Sequence, residues 1–212
     1  MPLAVGASCI QLLQNYDAVF WQGLIPKALD AKWLPGRWYM PAQTIGFGLT
    51  QFTVPLALVM LPRIARSAAQ GERSNSFRLT LLATLALGGA AALGCTLFPK
   101  LPLQIMFFNK PQNWEASPMV PWFAWTLLTF TVANVFLTQL FGQGRFGIIG
   151  WVIAVAVSYV TTLTALGPRL LTMAPFDGYR AGVQVMALHM VALLAGALWV
   201  SRDALRAVPA KS

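Results

Sequence analysis

Charge is scarce in this chain, and negative charge most of all. Six Asp and Glu stand against 15 Lys and Arg in 212 residues, and charged residues make up only 10% of the sequence. A soluble domain carries about 25%, so this composition cannot cover a surface that faces water. A single carboxylate, Asp17, falls inside an apolar run, which leaves no pair for general acid/base work. There is one histidine, His189, and no Walker A, HExxH, GxSxG or CxxC spacing. An enzyme is therefore not expected, nor a cofactor or a metal. Cys9 and Cys95 lie in apolar stretches without ligand spacing and read as small hydrophobes. His189, alone and deep in the last apolar run, reads as a packed, hydrogen-bonded residue. No basic segment precedes Asp17, so the start does not read as a cleavable signal. It reads as a chain that enters a membrane helix almost at once.

What the chain has in plenty is hydrocarbon. Hydrophobic residues make up 57%, and the mean hydropathy is +0.63. The economical reading is an integral membrane protein. The formal charge of +9 would point to nucleic acid in a soluble protein. Here the basic residues sit between apolar runs rather than in a patch with interleaved aromatics. They read as topology determinants and headgroup contacts, with membrane lipids as partners and no nucleic acid.

Six apolar runs can be placed: Leu3 to Ile25, Trp38 to Leu61, Phe77 to Phe98, Met119 to Phe141, Phe146 to Leu166 and Ala181 to Val200. Each reaches the roughly 20 residues a helix needs to cross a bilayer. The expected fold is all-α, a membrane bundle of six transmembrane helices over residues 1–201, with a short basic tail at 202–212. A short interfacial helix is expected around Leu103 to Phe108, and Pro55 should kink the second run. Gly88 and Ala92 mark a close helix approach in the third. Trp122 and Trp125 suit an aromatic belt at the start of the fourth. The basic residues divide almost evenly between the two sides, so orientation rests on a weak preference for a cytoplasmic tail.

Polar residues inside the runs are the candidates for function. Gln11, Gln14, Asn15 and Asp17 fall within an arc of about 160° on a helical wheel. Asp17 is the sharpest, because an ionisable group within a membrane helix is costly. It is expected to line a central cavity with its three neighbours and to bind a cation, a proton or a sugar hydroxyl; the competing reading makes it an interfacial cap. Thr44 and Gln51 form a second stripe, and Thr131, Asn134 and Thr138 a third. These line the same cavity or, more in keeping with their chemistry, join helices by hydrogen bonds. Arg63 and Arg66, after the second run, can meet lipid headgroups or a phosphate, or simply sit in a solvated loop.

Several strings resemble a known superfamily. Pro62-Arg63-Ile64-Ala65-Arg66-Ser67-Ala68-Ala69-Gln70-Gly71-Glu72 resembles the loop after the second helix of a lobe in the multidrug/oligosaccharidyl-lipid/polysaccharide flippases. Gln14-Asn15-Tyr16-Asp17, Phe98-Pro99 with Ile105-Met106-Phe107-Phe108, and Gly142-Gln143-Gly144-Arg145 resemble segments of the second lobe in the lipid II and polysaccharide flippases. The resemblance implies one six-helix lobe of a two-lobe transporter in a bacterial inner membrane. It implies a lipid-linked glycan as substrate and a second six-helix lobe as partner, whether a missing N-terminal half or another chain. A cation-coupled drug exporter of the same superfamily and a non-transporting membrane scaffold are the alternatives.

Overall fold

The computed structural model describes residues 2–25, 35–51 and 75–206. All regular structure among them is helical. The helices are α1 (Pro2–Leu24), α2 (Pro35–Trp38), α3 (Met40–Gln51), α4 (Asn75–Leu97), α5 (Lys100–Met106), α6 (Val120–Gly142), α7 (Ile148–Thr172) and α8 (Pro175–Arg206). A 3-10 segment, Pro111–Met119, leads into α6. It carries Pro at its first position and again at Pro118, where an α-helix would lose a backbone donor.

The apolar runs become helices, with shifted edges. The fifth and sixth runs extend toward each other, and the expected loop from Gly167 to Arg180 shrinks to Met173 and Ala174. Burial explains the extension. Leu163, Gly167 and Leu170 all turn inward at i, i+4 and i+7, so packing carries α7 through Pro168 despite the lost hydrogen bond. Four helices are long and apolar enough to cross a bilayer: Phe77–Leu97, Pro111–Gly142, Ile148–Thr172 and Pro175–Arg202. The expected six therefore reduce to four among the described residues. In α1 the polar side chains Gln11, Gln14, Asn15, Asp17 and Gln22 dilute the hydropathy, and the described part of α3 is 12 residues long. The rest of the second run, with Pro55, and the loop bearing Arg63 and Arg66 lie outside the described residues.

α6 is the hub. It packs against α3, α4 and α8; α8 also packs against α7, and α7 against α1. Buried residues accordingly cover most of the circumference of α6, Phe123, Leu127, Phe130, Ala133 and Leu137 among them. Between lipid-solvated helices the gain comes from close packing rather than from expelling water, and small residues permit it. A Cβ added at Gly88 would stand 2.6 Å from Leu128 Cδ1, and one at Gly46 would stand 2.7 Å from Leu127 Cδ1. The close approach expected at Gly88 and Ala92 is thus an α4–α6 contact, with Ala92 fully buried. On the opposite side α4 leaves Leu79, Leu82, Leu87, Leu93 and Leu97 more than half exposed. In water such a face would be untenable, whereas in acyl chains it is simply solvated. The short helix α5 falls where an interfacial helix is expected, and it exposes Leu101, Ile105 and Met106.

Candidate functional site

The site forms where α1 meets the start of α3. Asp17 is 1% exposed, turned from α1 into the bundle beside Leu13, Phe20 and Trp21. Opposite it, Tyr39 just before α3 and Gln43 in its first turn are joined by the Gln43 N–H donating to the Tyr39 carbonyl at 3.0 Å, and so share a face. Tyr39 Oη donates to Asp17 Oδ2 at 2.5 Å, and Gln43 Nε2 donates to Oδ1 at 3.1 Å and to Oδ2 at 3.0 Å. Both carboxylate oxygens are therefore satisfied by neutral donors. No basic side chain pairs with Asp17 among the described residues, whose one ion pair is Arg37 with Glu115 at the exposed end. Hydrogen bonds stabilise a buried carboxylate but do not cancel its charge. Among the described residues, then, the carboxylate rests on hydrogen bonds alone.

An aromatic wall surrounds the carboxylate. Trp21 meets Tyr39 at 5.9 Å and Tyr179 at 4.8 Å between ring centroids; Tyr39 meets Phe123 edge-on at 5.0 Å and Tyr179 at 5.3 Å. Rings from α1, α6, α8 and the segment before α3 converge here and hold the local dielectric low. Gly182 makes room for Trp21: a Cβ there would stand 2.8 Å from Trp21 Cζ2. Beside this cluster the Tyr159 hydroxyl is fully buried and without a hydrogen-bond partner among the described residues. Its ring lies edge-on to Tyr16 at 6.2 Å and 5.4 Å from that of His189. His189 Nδ1 lies 2.8 Å from the Val185 carbonyl and donates to it, which leaves Nε2 to accept from Ser158 Oγ at 3.2 Å. The imidazole is thus packed and hydrogen-bonded on both sides.

The sequence-derived candidates separate. The polar arc of α1 is not one environment. Asp17 points in and Gln14 is half-buried, while Gln11 and Asn15 are exposed on the outer side of the bundle. There Asn15 Nδ2 donates to the Gln11 carbonyl at 2.9 Å and to Gln11 Oε1 at 3.3 Å. Ser8 and Gln22 are exposed on the same stripe. The division follows from geometry: the inward face of α1 is set by Leu13, Asp17, Phe20 and Trp21, and Gln11 and Asn15 lie well over 100° away around the helix. Thr44 and Gln51 are exposed on α3, and Thr44 Oγ1 donates to its own helix at the Met40 carbonyl, 2.8 Å. On α6, Asn134 is half-buried and Thr138 buried, while Thr131 bonds back to Leu127 O at 2.7 Å rather than to another helix. Cys9 is half-buried and Cys95 buried, both as free thiols.

Tyr39 and Gln43, the residues that bind Asp17, were not among the candidates. A signal for them exists: a buried carboxylate demands donors, and a Tyr and a Gln at i and i+4 open the next apolar run. Fold and site together define a helical bundle with membrane-length apolar helices and, among the described residues, one buried, hydrogen-bonded carboxylate. No family model, no curated protein and no solved structure matches the chain.

Proposed function

We propose that this chain is one six-helix lobe of a flippase that moves a lipid-linked oligosaccharide or polysaccharide precursor across a bacterial inner membrane by alternating access. In this reading α1 and the second apolar run cross the bilayer together with the four more apolar helices, and the C-terminal tail is cytoplasmic. A second lobe completes the transporter, the sugar headgroup passes between the lobes, and the lipid tail stays in the bilayer. The carrying observation is the polar stripe of α1. Ser8, Gln11, Asn15 and Gln22 are exposed on a bundle whose other outward faces are largely hydrocarbon. The bonds between Asn15 and Gln11 satisfy only part of these groups, and the rest, turned to lipid, would lose their water without replacement, so the stripe calls for a wet or protein-lined neighbour. A cavity between two lobes provides one, and hydroxyl-rich sugar is a fitting ligand for amides that both donate and accept.

The test is accessibility. In a background with Cys9 and Cys95 replaced by Ala, cysteines are placed singly at Gln11, Asn15, Leu79 and Leu87. Membranes are then treated with a water-soluble, membrane-impermeant maleimide. The stripe positions should label and the α4 positions should not, and added glycolipid should slow labelling at Asn15. Equal inertness at all four positions would place the α1 stripe in lipid and remove the basis for a transport cavity.

A second reading draws on Asp17. A buried carboxylate lacking a cationic partner among the described residues favours a cation-coupled exporter of the same superfamily, with Asp17 holding the coupling proton or ion. Transport that keeps its dependence on pH and Na⁺ in Asp17→Asn would sink this version while leaving the first intact.

A further inference from the structure

A second feature lies on the outer surface, away from the carboxylate. Between α4, α6 and α8 runs an open-sided groove of about 500 Å³, lined by Thr96, Trp122, Trp125, Thr129, Ala187 and Val191 with neighbours of the same kind. That volume falls in the range of small-molecule sites, about 300–1,000 Å³. Its wall is mostly apolar, and three of its polar atoms are already committed. Trp125 Nε1 donates to Thr96 Oγ1 at 3.0 Å, Thr96 Oγ1 to Ala92 O at 2.8 Å, and Thr129 Oγ1 to Trp125 O at 3.0 Å. A polar ligand would find little to bond there, while an apolar one displaces no required water.

At one end of the groove the chemistry changes. The Arg180 guanidinium lies 4.6 Å from the centroid of the Trp122 ring. Arg180 is exposed, and no carboxylate pairs with it among the described residues. It sits at the end of the bundle that also carries Arg37, Lys110, Glu115 and Arg169, which marks the headgroup level. From Arg180 to Val191 along α8 is about 16 Å at 1.5 Å per residue, roughly half of a 30 Å hydrocarbon core. The groove therefore has the depth of one leaflet.

We infer that this groove is a binding site for an anionic phospholipid, with one acyl chain lying between α6 and α8 and the headgroup phosphate on Arg180. An indole at the mouth orients the guanidinium, which can then meet phosphate oxygens with two N–H donors at once. A zwitterionic lipid offers the same phosphate but brings its own ammonium, so the site discriminates by net charge. The inference needs only that these helices span a bilayer, not that the protein transports anything.

The experiment uses the full chain in mild detergent. Native mass spectrometry compares retention of phosphatidylglycerol with that of phosphatidylcholine, for wild type, Arg180→Gln, Arg180→Lys, Ala187→Phe and the exposed, distant Arg202→Gln. Phosphatidylglycerol carrying a mid-chain diazirine is then photo-crosslinked to wild type and mapped by peptide sequencing. Wild type should prefer phosphatidylglycerol by roughly fivefold. The preference should vanish in Arg180→Gln, persist in part in Arg180→Lys and persist fully in Arg202→Gln. Ala187→Phe, which fills the groove, should reduce retention of both lipids. Crosslinks should concentrate on α6 and α8 around Trp125 and Val191. Retention unchanged in Arg180→Gln, crosslinks spread evenly over the leucines of α4, or a copurifying membrane helix that occupies the groove would each overturn the assignment. The crosslink map is read on wild type alone, so misfolding of a variant does not shield the proposal.

Discussion

Replacing Tyr39 with Phe isolates one hydrogen bond and leaves the rest of the site in place. The ring is held by Phe123 at 5.0 Å and Tyr179 at 5.3 Å, contacts that Phe retains, so the change deletes one oxygen and opens no sizeable cavity. What is lost is the donor to Asp17 Oδ2. Two magnitudes compete. Hydrogen bonds between neutral groups across membrane helices average about 0.6 kcal/mol, while bonds to a charged group contribute about 1.5–3 kcal/mol. Both oxygens of Asp17 act as acceptors, the arrangement that serves a carboxylate, so the larger range applies. Tyr39→Phe should therefore destabilise the folded protein by about 1.5–3 kcal/mol. The assay is reversible unfolding in mixed micelles, followed by tryptophan fluorescence with denaturing detergent as the variable. Asp17→Asn and the double variant complete a thermodynamic cycle, and their coupling energy should be of the same size because the two groups touch. Stability of Tyr39→Phe within about 0.5 kcal/mol of wild type, together with zero coupling, would show that the contact contributes no more than a neutral membrane hydrogen bond. The account of Asp17 as an ionic site would then fail.

Further outcomes follow from the same geometry. Gly182→Ala should cost about 1–3 kcal/mol by forcing Trp21 from its place, whereas Gly94→Ala, with open space at its Cβ, should leave the unfolding midpoint nearly unchanged. Gln43→Leu removes the donor that reaches both oxygens of Asp17. Its effect should add incompletely to that of Tyr39→Phe in the same unfolding assay, because the two donors share one acceptor group. Ser158→Ala withdraws the donor to His189 Nε2 and should cost about 0.6 kcal/mol, a small shift that separates a packed imidazole from an essential one. Arg37→Gln breaks an exposed pair with Glu115 that also reaches the Gln112 carbonyl. Its effect on thermal stability should be slight and should shrink further in high salt.

How much of this could be read from the residues divides along a physical line. The helices were legible because an apolar run of membrane length has few other ways to satisfy its backbone in lipid. Their ends were less so. Nothing local in Gly167-Pro168 says that the helix continues; the inward side chains of α7 decide it, and their partners lie on other helices. The same holds for the site. That Asp17 is costly could be seen at once, but its side of the helix could not, because the polar arc of α1 was assigned to a single surface. A helical wheel orders side chains by angle and is silent about which neighbour stands at each angle. Here α1 packs along α7, and beside that contact its polar side chains meet two different surroundings. One is the start of α3, which offers Tyr39 and Gln43 to a carboxylate. The other is whatever lies beyond Gln11 and Asn15, where the amides bond to each other and to their own backbone. A charge can be buried against two fixed donors because their positions never change. Amides that serve a moving polar ligand must remain open to exchange it. In the flippase reading, the split of Asp17 from Gln11 and Asn15 is then a division between a fixed buried site and a variable cavity wall, and it predicts that substitutions on the two faces of α1 affect different observables. Changes at Asp17 should act on stability, and changes at Asn15 on glycolipid binding alone.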